Sequence, residues 1–121
     1  MNPVNWFEIP VNDLGKAQAF YEHVFGVTLS PTDMEMAKMA FFPMGQNEPG
    51  AAGSLIKAKD YVPSHHGALV YFSVPDIEGT LKKVSEKGGK TLMPKMGIGP
   101  YGFIAHFEDC EGNRIALHSM Q

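Results

Sequence analysis

The sequence predicts a single α+β domain built from two β-α-β-β-β units, with eight strands curving around a cleft and both helices outside. Three observations carry that prediction. Val11-Asn12-Asp13-Leu14 recurs as Val74-Pro75-Asp76-Ile77, with the two aspartates 63 residues apart. Each copy follows a short β-prone apolar run, Trp6-Phe7-Glu8-Ile9 in the first half and Leu69-Val70-Tyr71-Phe72-Ser73 in the second. Each also precedes a helical pattern that stops at glycine after a matching distance.

In the first unit, Leu14, Ala17, Phe20, Tyr21 and Val24 fall at helical spacing behind Asn12 or Asp13, either of which can cap the free N–H groups. Ile77, Leu81 and Val84 repeat the pattern behind Asp76. Gly26 and the pair Gly88-Gly89 supply the left-handed residue that closes a helix C-terminus. Shorter strand-like runs follow each helix: about 27–30, 37–42 and 53–58 in the first half, about 90–93, 103–108 and 114–118 in the second. Repeat 1 spans about 4–58 and repeat 2 about 67–119, within one domain of 1–121. The stretch 59–67 is polar and turn-rich and connects them. A unit of ~60 residues has little core of its own, so the halves must pack together, and the inner face of the curved sheet is where a ligand would sit.

Composition narrows the function classes. The 121 residues are 44% hydrophobic and 19% charged, an ordinary globular profile. The formal net charge is −3 and no Lys/Arg stripe is present, which argues against nucleic acid as a partner. No apolar run approaches the ~20 residues of a membrane span, and no basic-then-apolar leader opens the chain, so a cytoplasmic protein is expected. Cys110 is the single cysteine, so it has no internal disulfide partner. Asp109 and Glu111 flank it and disfavour a thiolate, which favours an inert thiol over a redox or nucleophilic role.

Phe7-Glu8-Ile9-Pro10-Val11-Asn12-Asp13, with Phe20-Tyr21 and Phe25-Gly26, resembles the opening of the vicinal oxygen chelate superfamily of glyoxalase I, bleomycin-resistance proteins, extradiol dioxygenases and fosfomycin-resistance enzymes. Phe103-Ile104-Ala105-His106-Phe107-Glu108-Asp109 with Gly112-Asn113-Arg114-Ile115-Ala116-Leu117 resembles its closing strands. The resemblance implies the fold above, a homodimer, and a small-molecule ligand. It leaves activity open, because lyases, oxygenases, transferases and pure binding proteins share the scaffold.

The resemblance also implies four metal-ligand positions, which fall here on Trp6, Leu69, Ala116 and a residue near Ser54. None is an imidazole or carboxylate, so no metal cofactor is expected. Strand alternation then places Glu8 beside Trp6, Tyr71 beside Leu69 and His118 beside Ala116 on one face, and the resemblance implies that His106, with Ile104, lines the same cleft. Two readings follow. In one, these residues, with Tyr101 from the glycine-rich stretch 94–102, line a pocket for a small, partly aromatic or planar molecule. In the other, Glu8, His106 and His118 form a relocated catalytic site, for acid–base or metal chemistry, in a lyase or dioxygenase of this type.

Other groups carry weaker signals. His65-His66 lies in the connector, either solvent-exposed or at the cleft rim, and His23 lies on the first helix facing solvent. The eight methionines suit a loosely specified core or an adaptable binding surface. The stretch 94–102 is expected to be irregular, as a flap over the cleft or a plain loop, and Lys57 and Lys95 are expected to be solvated.

Overall fold

In the computed structural model, which describes residues 2–121, the chain runs β1 (Trp6–Pro10), α1 (Leu14–Phe25), β2 (Ser30–Asp33), β3 (Ala37–Phe41) and β4 (Ala52–Ala58). The second half repeats the order as β5 (Tyr71–Ser73), α2 (Ile77–Glu86), β6 (Lys90–Gly97), β7 (Phe103–Glu108) and β8 (Arg114–Ser119). A single 3₁₀ turn, Gly99–Tyr101, precedes β7.

The eight strands divide into two four-stranded mixed sheets, ordered β1-β4-β3-β2 and β5-β8-β7-β6. In each, the first strand lies parallel to the last and the other neighbours are antiparallel. The equivalence of the halves is therefore one of topology, not only of sequence.

The helix ends behave as their sequences require. The Asp13 side chain accepts a hydrogen bond from Lys16 N, and Asp76 does the same for Gly79 N. Gly26 adopts φ +64° and its N–H reaches Glu22 O, a conformation that a Cβ would strain. The helices turn Phe20, Tyr21, Val24, Ile77, Leu81 and Val84 into the core, and α1 packs on α2 as well as on the sheets.

Two junctions bind the halves. In the first, Phe72 of β5 inserts among four rings of the first half: it stacks on Phe25 at 4.4 Å and contacts Phe7, Tyr21 and Phe42. Such ring pairs contribute about 0.5–1.5 kcal/mol each beyond simple burial. In the second, the β7–β8 turn reaches across to α1. Asp109, fully buried, accepts from Tyr21 Oη at 2.6 Å, and Glu111 Oε1 accepts from the backbone N–H groups of Asn12 and Asp13. Asn113 Nδ2 donates to Pro10 O at 2.8 Å.

Two strand boundaries differ from the sequence expectation. The second strand lies at Ser30–Asp33, not 27–30, and Leu29 instead sends its side chain into the core. The sixth runs on through Pro94 to Gly97, where an irregular stretch is expected. Both strands are the outer edges of their sheets, where a proline costs no ladder bond, and β6 accommodates Pro94 by shifting register between Met93 and Met96. No helix among the described residues is long and apolar enough to cross a membrane.

Candidate functional site

β1 and β5 are edge strands of their sheets, and residues from both line a cleft of about 820 Å³. The whole of β1, Trp6 to Pro10, borders the cleft, with Glu8 exposed and Ile9 also packed into the core. Tyr71 lines it from β5, half-exposed, and Leu69 lines the approach to that strand. Phe7, Phe42 and Phe72 meet ring to ring, with Phe7 and Phe72 edge to face at 5.6 Å, and form an aromatic wall. Connecting segments add Val62, Ser64 and His66 on one side and Pro43 and Pro49 on the other. Arg114 enters from the start of β8.

Of the residues singled out in the sequence, Trp6, Glu8, Leu69 and Tyr71 line this cleft, whereas Tyr101, Ile104, His106, Ala116 and His118 do not. The reason is strand order. β8 stands between β5 and β7, so Ile104 and His106 on β7 are set back from the edge that borders the cleft, and on β8 only the first residues, Arg114 and Ile115, reach it. Tyr101 is exposed on its 3₁₀ turn, and its carbonyl accepts a hydrogen bond from His118 Nε2 at 2.6 Å.

Glu8, His106 and His118 are consequently engaged apart. Glu8 is exposed on β1, and His118 is held by Tyr101. His106 accepts from Arg114 Nε at Nδ1, 3.0 Å away, and meets the Tyr71 ring edge to face at 6.2 Å. Burial and the adjacent guanidinium hold the His106 imidazole below its ordinary pKa, which keeps Nδ1 free to accept. Ala116, opposite both Tyr71 and His106, is small enough for the rings to meet above it. Among the described residues, no group of three His, Cys, Asp or Glu side chains is arranged to hold a metal ion.

The positions that the family resemblance assigns to metal ligands do not fit a divalent cation. Trp6 packs its ring edge-on against Phe41 at 5.6 Å, Ala116 is fully buried, and Leu69 offers no donor. Ser54 alone carries an oxygen, a buried hydroxyl without a hydrogen-bond partner, and one neutral hydroxyl is not a cation site.

The remaining candidates divide between pairing and solvent. His66 lines the cleft, as a rim position requires, while His65 donates from Nε2 to Glu108 at 2.7 Å. His23 pairs with Glu86 at 2.9 Å, which holds that carboxyl below its usual range. Lys95 lies over the Phe103 ring at 4.6 Å. Burial first, then Asp109 and Glu111, push the Cys110 thiol up to about 11. Arg114 is the charged cleft residue that sequence reasoning passed over, along with the rings of Phe7, Phe42 and Phe72. The signal for Arg114 was available, since positions 114, 116 and 118 share a strand face.

Comparison with known proteins agrees with this architecture. The sequence matches the glyoxalase/bleomycin resistance protein/dioxygenase superfamily over residues 4–117. A glyoxylase-like domain-containing protein from Didymella fabae is 30% identical over 118 residues, covering 94% of this chain and 91% of that one. Among solved structures, a glyoxylase/bleomycin resistance protein/dioxygenase domain from Frankia sp. EAN1pec superposes with a TM-score of 0.76 at 14% identity, covering 100% and 99% of the two chains. TnmS3, an antibiotic binding protein from Streptomyces sp. CB03234, superposes with a TM-score of 0.66 at 24% identity over 98% and 96%. With the repeat, the sheet order and the family match in agreement, the chain belongs to the glyoxalase/bleomycin resistance protein/dioxygenase superfamily.

Proposed function

We propose that this protein binds one small, partly aromatic or planar molecule in the cleft between β1 and β5, without the divalent ion of its superfamily's enzymes. The observation that carries the reading is the cleft itself. At about 820 Å³ it has the size of a small-molecule site, and the rings of Trp6, Phe7, Tyr71 and Phe72 line it together with polar groups such as Glu8, Ser64, His66 and Arg114. Aromatic walls reward a flat ligand through offset and edge-to-face contacts. An antibiotic binding protein on the same fold, TnmS3, supports the reading by analogy.

The alternative, a lyase or dioxygenase acting through Glu8, His106 and His118, gains less support. Two of these three are committed to separate hydrogen bonds, and only Glu8 borders the cleft. The homodimer belongs to the proposal too: β2 and β6 are outer sheet edges with unpaired backbone groups, which a second copy can cover.

Trp6 is the only tryptophan in the chain and reports on the cleft directly. A library of planar aromatic compounds is expected to contain members that quench Trp6 fluorescence and raise the melting temperature together. A library that moves neither signal, in wild-type protein that melts cooperatively, defeats the reading.

A further inference from the structure

We infer that Arg114, held in place by His106, is an anion anchor in the cleft, and that the ligand is therefore a planar aromatic carboxylate or a molecule carrying an equivalent monoanion. The inference rests on the cleft being the ligand site and adds the charge of what it takes.

Arg114 is half-buried and lines the cleft at the start of β8. A guanidinium so placed normally finds a carboxylate, because charge taken out of water is costly without a partner. Here its Nε donates to the uncharged Nδ1 of His106. The nearest carboxylate in the ladder, Glu108, stands directly across from Arg114 in register but accepts from His65 and faces Lys90 instead. Among the described residues, Arg114 has no acidic group within ion-pair distance, and its two terminal nitrogens have no hydrogen-bond partner. The positive charge is therefore fixed in direction and left unanswered.

His106 accounts for that geometry. Backed by Tyr71 and set over Ala116, the ring occupies the space beside the Arg114 side chain. Accepting at Nδ1 makes Nε2 the protonated nitrogen, and it is buried without a partner of its own. A neutral imidazole on Nε orients the guanidinium without neutralising it, and the terminal N–H pair stays free for bidentate contact with a carboxylate.

The rest of the lining sets the ligand's direction. Among the described lining residues, Arg114 is the only Lys or Arg and Glu8, on the opposite strand, is the only Asp or Glu. A carboxylate is drawn to the β8 side and repelled from β1, while the ring lies against Trp6, Tyr71 and Phe72. Arg114 is thus a specificity-determining residue and His106 a positioning residue behind it.

The test uses matched pairs that differ in charge but not shape: benzoate with benzamide and 2-naphthoate with 2-naphthamide, titrated against the full chain by calorimetry and Trp6 quenching. The wild type is expected to bind each acid about tenfold to a hundredfold more tightly than its amide. Arg114→Gln should bring that ratio close to one. His106→Leu should reduce the ratio, and His106→Gln, whose side-chain oxygen can accept from Nε, should restore it. If Arg114→Gln does not fold, Arg114→Lys keeps the charge without the fork and should give an intermediate ratio. Equal binding of acids and amides by the wild type overturns the anchor and leaves the cleft reading standing. So does a ratio untouched by the Arg114 variants. Binding of no member of either pair overturns the carboxylate anchor, while the wider aromatic library decides the cleft reading.

Discussion

Tyr21 Oη donates to Oδ2 of Asp109 at 2.6 Å, joining the first helix to the last β-turn across 88 residues of sequence. Both groups are buried, and burial followed by the Asp109 charge holds the Tyr21 hydroxyl well above the ordinary phenol range, so it remains a donor. Asp109 also accepts from the backbone N–H groups of Glu111 and Asn113 and from Asn113 Nδ2. The carboxylate thus organises its own turn while holding the other half. Tyr21→Phe should cost about 1.5–3 kcal/mol in urea denaturation, and Asp109→Ala more, because it leaves Tyr21 and Asn113 unsatisfied. An unchanged midpoint in Tyr21→Phe would show that the bond contributes nothing to joining the halves.

Phe72 is the apolar counterpart of that link. Its ring is contributed by the second half, but its aromatic neighbours Phe7, Tyr21, Phe25 and Phe42 all belong to the first. Phe72→Ala should destabilise the protein by about 2–4 kcal/mol, less than a fully buried phenylalanine because the ring also borders the cleft. A loss below about 1 kcal/mol would mean that the halves are held mainly by the polar turn.

Cys110 should behave as an inert thiol. With its pKa raised to about 11, little thiolate exists near neutrality. Alkylation by iodoacetamide at pH 8 should be at least about tenfold slower in the folded protein than in urea, even allowing for the greater nucleophilicity of a high-pKa thiolate. Equal rates would place Cys110 in a more open and more positive setting than its carboxylate neighbours provide.

The Arg114–His106 pair makes stability depend on pH in a defined direction. The folded-state pKa of His106 lies below its ordinary 6.5, because of burial and then Arg114. The unfolded chain therefore takes up the proton more readily. The contribution is fully present above about pH 6.5 and is lost as pH falls through the folded value. Between pH ~7.5 and ~5, wild type should lose more stability than His106→Gln, which has no proton to take up there. Parallel pH profiles for the two proteins would contradict the depressed value.

Much of this fold was legible because a repeat leaves a double record. Asp13 and Asp76 cap equivalent helices, Gly26 and Gly88 follow them, and each unit's apolar runs appear as its strands. The edges were harder to read. Ser30-Pro31-Thr32-Asp33 and Pro94 carry turn-forming residues, and only their place at a sheet edge permits them in strands. The site was half legible for a related reason. Trp6, Glu8 and Tyr71 do border the cleft, but so do their alternate neighbours Phe7 and Phe72, and strand order, which a local pattern does not encode, set His106 behind it.

The most direct test of a metal-free aromatic cleft is native mass spectrometry of untagged protein, purified without chelator and then offered 2-naphthoate. The account predicts a dimer without a stoichiometric divalent ion that takes up one organic molecule per cleft. One divalent ion per site, lost with chelator together with ligand uptake, would contradict it and make Glu8, His106 and His118 the residues to replace first.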